Sequence, residues 1–279
     1  MKKHIINLVL ILIFLVGLGI LLYPTVSNYI NERHMSRAVA AYDETVDNLT
    51  EEDYSAYFEA AKAYNEALAA TPGDFSEGDR VGNYEETLDL GGGIMGYITI
   101  QKLGVELPIY HGTDDAVLQV AVGHLEGSSL PVGGESTHCV LSGHRGLPSA
   151  TLFSNLDQMV EGDTFTLSVL NEVYTYEVDQ ILIVEPNDVS ALAIEEGKDL
   201  CTLVTCTPYG INTHRLLVRG HRVENAVETI RVSSDAIQIE PIIVAPIIAI
   251  PILLILLIVL FLSGSRKKPS GGSEDEKNA

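Results

Sequence analysis

Tryptophan is absent from this 279-residue chain, and cysteine occurs only at Cys139, Cys201 and Cys206. Three cysteines exclude a disulfide-stapled scaffold, and an odd number leaves at least one thiol free unless it pairs with another chain. Cys201 and Cys206 lie five positions apart in one extended run, too far along a strand to pair with each other. No cysteine–histidine spacing resembles a zinc site, so no metal and no other cofactor is expected. Basic residues are scarce too: 17 against 38 acidic ones, a net charge of −21. That balance excludes the phosphate attraction on which nucleic-acid binding depends. It implies a well-solvated acidic exterior, compatible with a basic partner or a presented lysine.

Long apolar runs are confined to the two ends. Residues 5–22 are almost wholly aliphatic and follow Lys2 and Lys3, and residues 242–262 precede Arg266, Lys267 and Lys268. Each run is long enough to cross a hydrocarbon core of about 30 Å. Pro246 and Pro251 are compatible with the second span, since membrane helices tolerate proline. The bulky Leu21-Leu22-Tyr23-Pro24 lacks a small-residue cleavage site, which favours an uncleaved signal anchor over a cleaved signal peptide. The flanking basic residues predict a plasma-membrane protein with both termini cytoplasmic and everything between the spans outside.

Between the spans the pattern changes twice. After an anchor over 1–30, residues 31–70 are rich in alanine and glutamate. Thr50-Glu51-Glu52-Asp53 reads as a helix start with an acid three residues after the cap. Tyr54, Tyr57, Phe58, Ala61, Tyr64 and Leu68 then follow helical spacing. A polar connector over 71–93 leads into short strands over 94–225, where Phe165-x-Leu167-x-Val169 and Tyr174-x-Tyr176-x-Val178 alternate with period two. The continuous apolar runs Ile181-Leu182-Ile183-Val184 and Leu203-Val204 read as buried strands. Strands recurring so closely imply a mainly β fold, a closed or nearly closed barrel. A linker over 226–241 precedes the second span, and 263–279 is a basic, then polar, tail.

The chemistry concentrates at three strand ends. In Thr202-Leu203-Val204-Thr205-Cys206-Thr207-Pro208-Tyr209-Gly210, Leu203 and Thr205 take one face and Val204 and Cys206 the other. Pro208, Gly210 and Asn212 supply a turn, and Arg215 opens the next run, Leu216-Leu217-Val218. A thiol and a guanidinium on adjacent strand ends suit acyl transfer, with a sulfur nucleophile and a fixed positive charge for a developing oxyanion. A thiol with a pKa of about 8.5 needs a basic neighbour. His144, in Cys139-Val140-Leu141-Ser142-Gly143-His144-Arg145-Gly146, ends a third strand between glycines. Buried cysteines and histidines are more often structural, and Cys139, Cys201, His111, His124 and His138 are read so.

The segments around His144 and Cys206, with Arg215 after them, closely resemble the sortases, specifically class C. Gly96-Tyr97-Ile98-Thr99-Ile100, Leu107-Pro108-Ile109-Tyr110-His111-Gly112-Thr113 and Gly123-His124-Leu125-Glu126-Gly127-Ser128-Ser129-Leu130-Pro131 extend the resemblance, which covers about residues 94–222. It implies an eight-stranded β-barrel with added N-terminal helices. It also implies a pilin-polymerising transpeptidase of Gram-positive cell walls with catalytic Cys206, His144 and Arg215. The implied partners are pilin subunits bearing a C-terminal Leu-Pro-x-Thr-Gly-like signal and an acceptor lysine. Class C members carry a lid of aspartate, proline and an aromatic. In Thr71-Pro72-Gly73-Asp74-Phe75-Ser76 the proline comes early, so a lid anchored by Asp74 and Phe75 stands beside an ordinary connecting loop. Two other functions remain open: an endopeptidase that gives the acyl group to water, and a non-catalytic pilus scaffold.

Overall fold

A computed structural model describes residues 2–71 and 81–225. The candidate lid residues Asp74 and Phe75 and the expected second span, 242–262, lie outside the described residues.

Helix α1 runs unbroken over Lys2–Asp47, and α2 follows over Glu51–Ala70. The expected boundary near residue 30 is therefore no break in structure, since one helix carries both the apolar run and the start of the alanine-rich region. Over Val9–Asp47 this helix is long and apolar enough to span a membrane, and its apolar window is unburied. Further along, Met35, Val39, Tyr42 and Val46 recur at spacings of three to four and are buried. The helix thus changes from an all-round apolar surface to a one-sided stripe. Thr50 caps α2 as the sequence predicts: its hydroxyl accepts from the Asp53 amide, and the Asp53 carboxylate accepts from the Thr50 amide at 3.0 Å.

Eight strands follow: β1 Ile94–Ile100, β2 Val105–His111, β3 Val122–His124, β4 Thr137–Ser142, β5 Thr164–Val169, β6 Glu172–Val184, β7 Asp199–Thr207 and β8 His214–Val223. A short helix, α3, spans Asp115–Leu118 between β2 and β3. The strands close into one barrel in the order β1-β2-β3-β4-β7-β8-β6-β5. β2/β3 and β4/β7 pair in parallel, and the other pairs are antiparallel.

Ile98, Ile109, Leu141, Leu167, Leu203 and Val218 fill the barrel in one cluster with the α1 stripe and with Ala61, Tyr64 and Leu68 of α2. Two polar side chains fix the helices to it. Tyr42 donates to the Met95 carbonyl and accepts from the Leu170 amide, and Asn65 makes a two-point clamp on the backbone of Leu130. Buried and fully paired, such groups each contribute about 1 kcal/mol net, and more would be lost by removing one partner.

One expectation about β6 fails. Tyr174–Val178 and Ile181–Val184 are not separate strands but one strand with a bulge between Val178 and Gln180. Ile183 is 65% exposed, so this run is not buried on both faces. A four-residue apolar run carries no periodicity with which to assign its faces.

His138 joins β4 to the β6–β7 connection. Its Nδ1 lies 2.8 Å from the Ala193 carbonyl and its Nε2 2.7 Å from the Thr202 hydroxyl, so the neutral ring donates from Nδ1 and accepts at Nε2. Burial lowers its pKa below the usual 6.5, partly opposed by the bond to Ala193. The unfolded chain therefore takes up the proton first, and stability is lost as pH falls through about 6.5 toward the lower folded value. The melting midpoint of the wild type should fall between pH 7 and pH 5.5 more steeply than that of His138→Gln. Parallel slopes would show that His138 does not govern this window.

Candidate active site

β7 lies between β4 and β8, and both ladders fix what stands beside Cys206. In the antiparallel β7/β8 pair, Cys206 is opposite Arg215 and Val204 opposite Leu217. In the parallel β4/β7 pair, Ser142 is opposite Val204, and the Gly143 amide continues the ladder to the Val204 carbonyl at 3.0 Å. His144 follows directly after Gly143. Side chains alternate along a strand, so residues of one parity share a face. Leu203 and Thr205 are 0% and 2% exposed and point inward, whereas Val204 and Cys206 are half-buried on the outside. The predicted division of this strand is the one observed.

The outer face under Cys206 is not bare. Val140, Leu192 and Leu217 form a small buried cluster there, joined by the partly buried Leu182, Val184 and Val204. Val184 of β6 is also opposite Arg215. Cys206 and Arg215 therefore stand at the end of an apolar floor. The β7–β8 turn closes that end, with Gly210 at φ 74° and Asn212 at φ 61°, and it exposes Tyr209 and Ile211.

Sequence reasoning missed the side chain that ties the His144 segment to the Cys206 strand. Arg145 is half-buried, with only 7% of its side chain exposed. It donates to the Ser154 carbonyl (3.2 Å), the Thr207 hydroxyl (3.3 Å) and the Asp157 carboxylate, and it lies 5.7 Å from the centre of the Tyr209 ring. Thr205 adds a second tie, from its hydroxyl to the Gly143 carbonyl at 2.7 Å. The only signal for Arg145 was its place next to His144; its partners are 9 to 62 residues away.

Three other histidines are engaged with partners of their own. His111 bonds the Gly93 and Thr87 carbonyls, and His124, fully buried, bonds the Tyr84 hydroxyl and the Ser129 carbonyl. His214 turns to Glu185, 3.3 Å away. Cys139 and Cys201 are buried opposite each other on β4 and β7, and burial pushes the Cys201 thiol well above its ordinary range. Burial acts to raise the Cys139 thiol too, but hydrogen bonds with Cys201 and His124 bring it down to about 6; both thiols are closed off from solvent in the core, in contrast to the half-buried Cys206. Among the described residues no three histidine, cysteine or acidic side chains are grouped to hold a metal ion.

These features are those of a known class of enzyme. A model of the sortase domain matches residues 98–223. Sortase C1 from Streptococcus agalactiae is 52% identical, with a TM-score of 0.63 over 68% of this chain and 100% of its own. Sortase C of Streptococcus pneumoniae is 44% identical, with a TM-score of 0.63 over 68% of this chain and 97% of its own. Among curated proteins, sortase D of Bacillus subtilis is 34% identical over 135 residues, 47% of this chain; the match spans 65% of that relative. The chain belongs to the sortase family of cysteine transpeptidases and, by its structural relatives, to class C.

Gly143 tests how tightly this site is packed. A Cβ added there would lie 2.6 Å from the Phe153 ring. Gly143→Ala should therefore cost about 1–3 kcal/mol, as overpacking does, read as a lowered midpoint in denaturant. An unchanged midpoint would mean that the 143–153 segment is looser than this packing implies.

Proposed function

We propose that this chain is a membrane-anchored transpeptidase of pilus assembly. Cys206 Sγ, as the thiolate with its proton held on His144, attacks the carbonyl carbon between threonine and glycine in a Leu-Pro-x-Thr-Gly-like signal at the C-terminus of a pilin. The C–N bond breaks, the glycine amine leaves with a proton from His144, and the acyl group stays as a thioester. A lysine amine of another subunit then attacks, His144 takes its proton, and the C–S bond breaks to leave an isopeptide bond. Arg215 supplies the charge that stabilises each oxyanion. The observation that carries this reading is that the β7/β8 register sets Cys206 opposite Arg215, while the β4/β7 register ends two residues before His144. The apolar floor of Val184, Val204 and Leu217 suits the leucine and proline of such a signal. The Streptococcus pneumoniae sortase C has been related to pilin substrate specificity, which supports pilin as the substrate here.

The same reading puts the catalytic barrel outside the cell on helix α1, with Lys2 and Lys3 on the cytoplasmic side. A second span over 242–262 with its basic flank, and a lid anchored by Asp74 and Phe75, are proposed on sequence alone.

Incubation of the full chain with a sorting-signal peptide, with and without a lysine donor, tests the function by product mass. Cys206→Ala should give no product, while Cys139→Ala and Cys201→Ala retain the chemistry. His144→Ala should lose about 10²–10⁴ in turnover, the usual contribution of a positioned acid–base group. Arg215→Lys, which keeps charge but loses the planar fork, should fall by about 10²-fold or more. Product from Cys206→Ala ends this reading, and hydrolysis alone in the presence of the lysine donor reassigns the enzyme as an endopeptidase.

Arg145→Ala should lower turnover by on the order of 10-fold or more, because a displacement of about 1 Å at a reacting group can cost 10²-fold. Normal turnover in that variant would show that the His144 segment holds its place without Arg145.

A further inference from the structure

Helix α1 touches the active-site segment. The Asn28 side-chain oxygen accepts from both the amide (2.7 Å) and the hydroxyl (2.9 Å) of Thr151, and the Asn31 side-chain nitrogen donates to the Ser149 carbonyl at 2.7 Å. These contacts bridge 118 to 123 residues of sequence. Asn28 and Asn31 continue the spacing of Met35, Val39, Tyr42 and Val46, so they extend that stripe of α1, half-buried, toward its N-terminal end.

What they grip is a closed unit that begins at His144. The Phe153 amide bonds the His144 carbonyl at 3.1 Å, the Gly146 amide bonds the Ser154 hydroxyl at 3.1 Å, and Arg145 reaches the Ser154 carbonyl. Leu152 and Phe153 are buried beneath it. Ser149 and Thr151 lie within this unit, and α1 holds both.

Resting on the transpeptidase reading, we propose that Asn28 and Asn31 are positioning residues that brace the His144 segment against the membrane helix. The anchor is then part of the catalytic apparatus and not only a tether. At 1.5 Å per residue, Asn28 and Asn31 stand about 9 and 14 Å beyond Leu22, the end of the apolar run. The brace therefore holds the acid–base group at a fixed, small height above the bilayer, which suits a donor whose scissile bond is presented close to that surface.

The two amides do opposite jobs, and this yields a sharp test. Asn28 is an acceptor toward Thr151, so Asn28→Asp keeps both bonds, and its exposed donation to Glu32 becomes an i,i+4 like-charge pair that costs a little helix stability. Asn31 is a donor toward a carbonyl, so Asn31→Asp removes the bond and sets a negative charge against the Ser149 oxygen. The full chain in detergent or lipid nanodiscs is assayed with a soluble sorting-signal peptide and a lysine donor across pH. Asn31→Asp and Asn28→Leu should each lose about 10-fold in kcat, as small misplacements of reacting groups do, with KM within about 2-fold and the acid-side limb of the pH–rate profile displaced. Asn28→Asp should stay within about 2-fold of wild type.

Absence of turnover in the wild type would overturn the transpeptidase reading itself. With an active wild type, equal losses in Asn28→Asp and Asn31→Asp overturn the brace. So does a lowered melting midpoint with kcat and pH profile unchanged.

Discussion

β7 has a parallel neighbour on one side and an antiparallel neighbour on the other, and the register of both ladders decides which side chains share a face. Every group assigned to the chemistry depends on that constraint. A slip of one residue in the β7/β8 pairing would turn Arg215 inward while Cys206 stayed out. The inward positions are filled: Cys201, Leu203 and Thr205 of β7 and Leu216 and Val218 of β8 pack into the barrel core. Burial of these side chains, each worth about 1.5–3 kcal/mol when large and apolar, fixes the register. The outward pairing of Cys206 with Arg215 follows from it.

Local pattern alone makes the Cys206 strand readable from the sequence. Leu203, Val204 and Thr205 declare a strand, the turn residues Pro208, Gly210 and Asn212 declare its end, and Arg215 opens the next strand. All of this lies within one hairpin, and alternation divides its faces correctly. The Thr50–Asp53 capping box is legible for the same reason, since its partners are three residues apart. Closure of the barrel is less so: the parallel partners of β2 and β7 are remote in sequence, and resemblance supplies what periodicity cannot.

Misreadings arise where contacts are long-range or patterns short. Ile183 sits in a run too brief to show which side faces water. Arg145 reads as an ordinary loop residue because its partners Thr207 and Asp157 come from other segments. Asn28 and Asn31 sit among residues that read simply as helix, and nothing local indicates that one accepts and the other donates across more than a hundred residues.

The two arginines flanking the site show how the fold separates support from chemistry. A guanidinium has five N–H donors in a fixed fork. Arg145 directs its donors to Ser154, Thr207 and Asp157 and stacks near Tyr209, so its charge is matched and its position set by three chain segments. Arg215 is different: among the described residues it makes one hydrogen bond, from Nη1 to the His214 carbonyl at 3.2 Å. Among the described residues its other donors have no protein partner, which supports the proposed contact with a substrate oxygen. A compensated cation would gain little as charge develops on an oxyanion, whereas donors aimed at the site and not already paired stabilise it without reorganisation. This unequal saturation among the described residues is the electrostatic argument for the proposal that Arg145 supports the site and Arg215 takes part in the reaction.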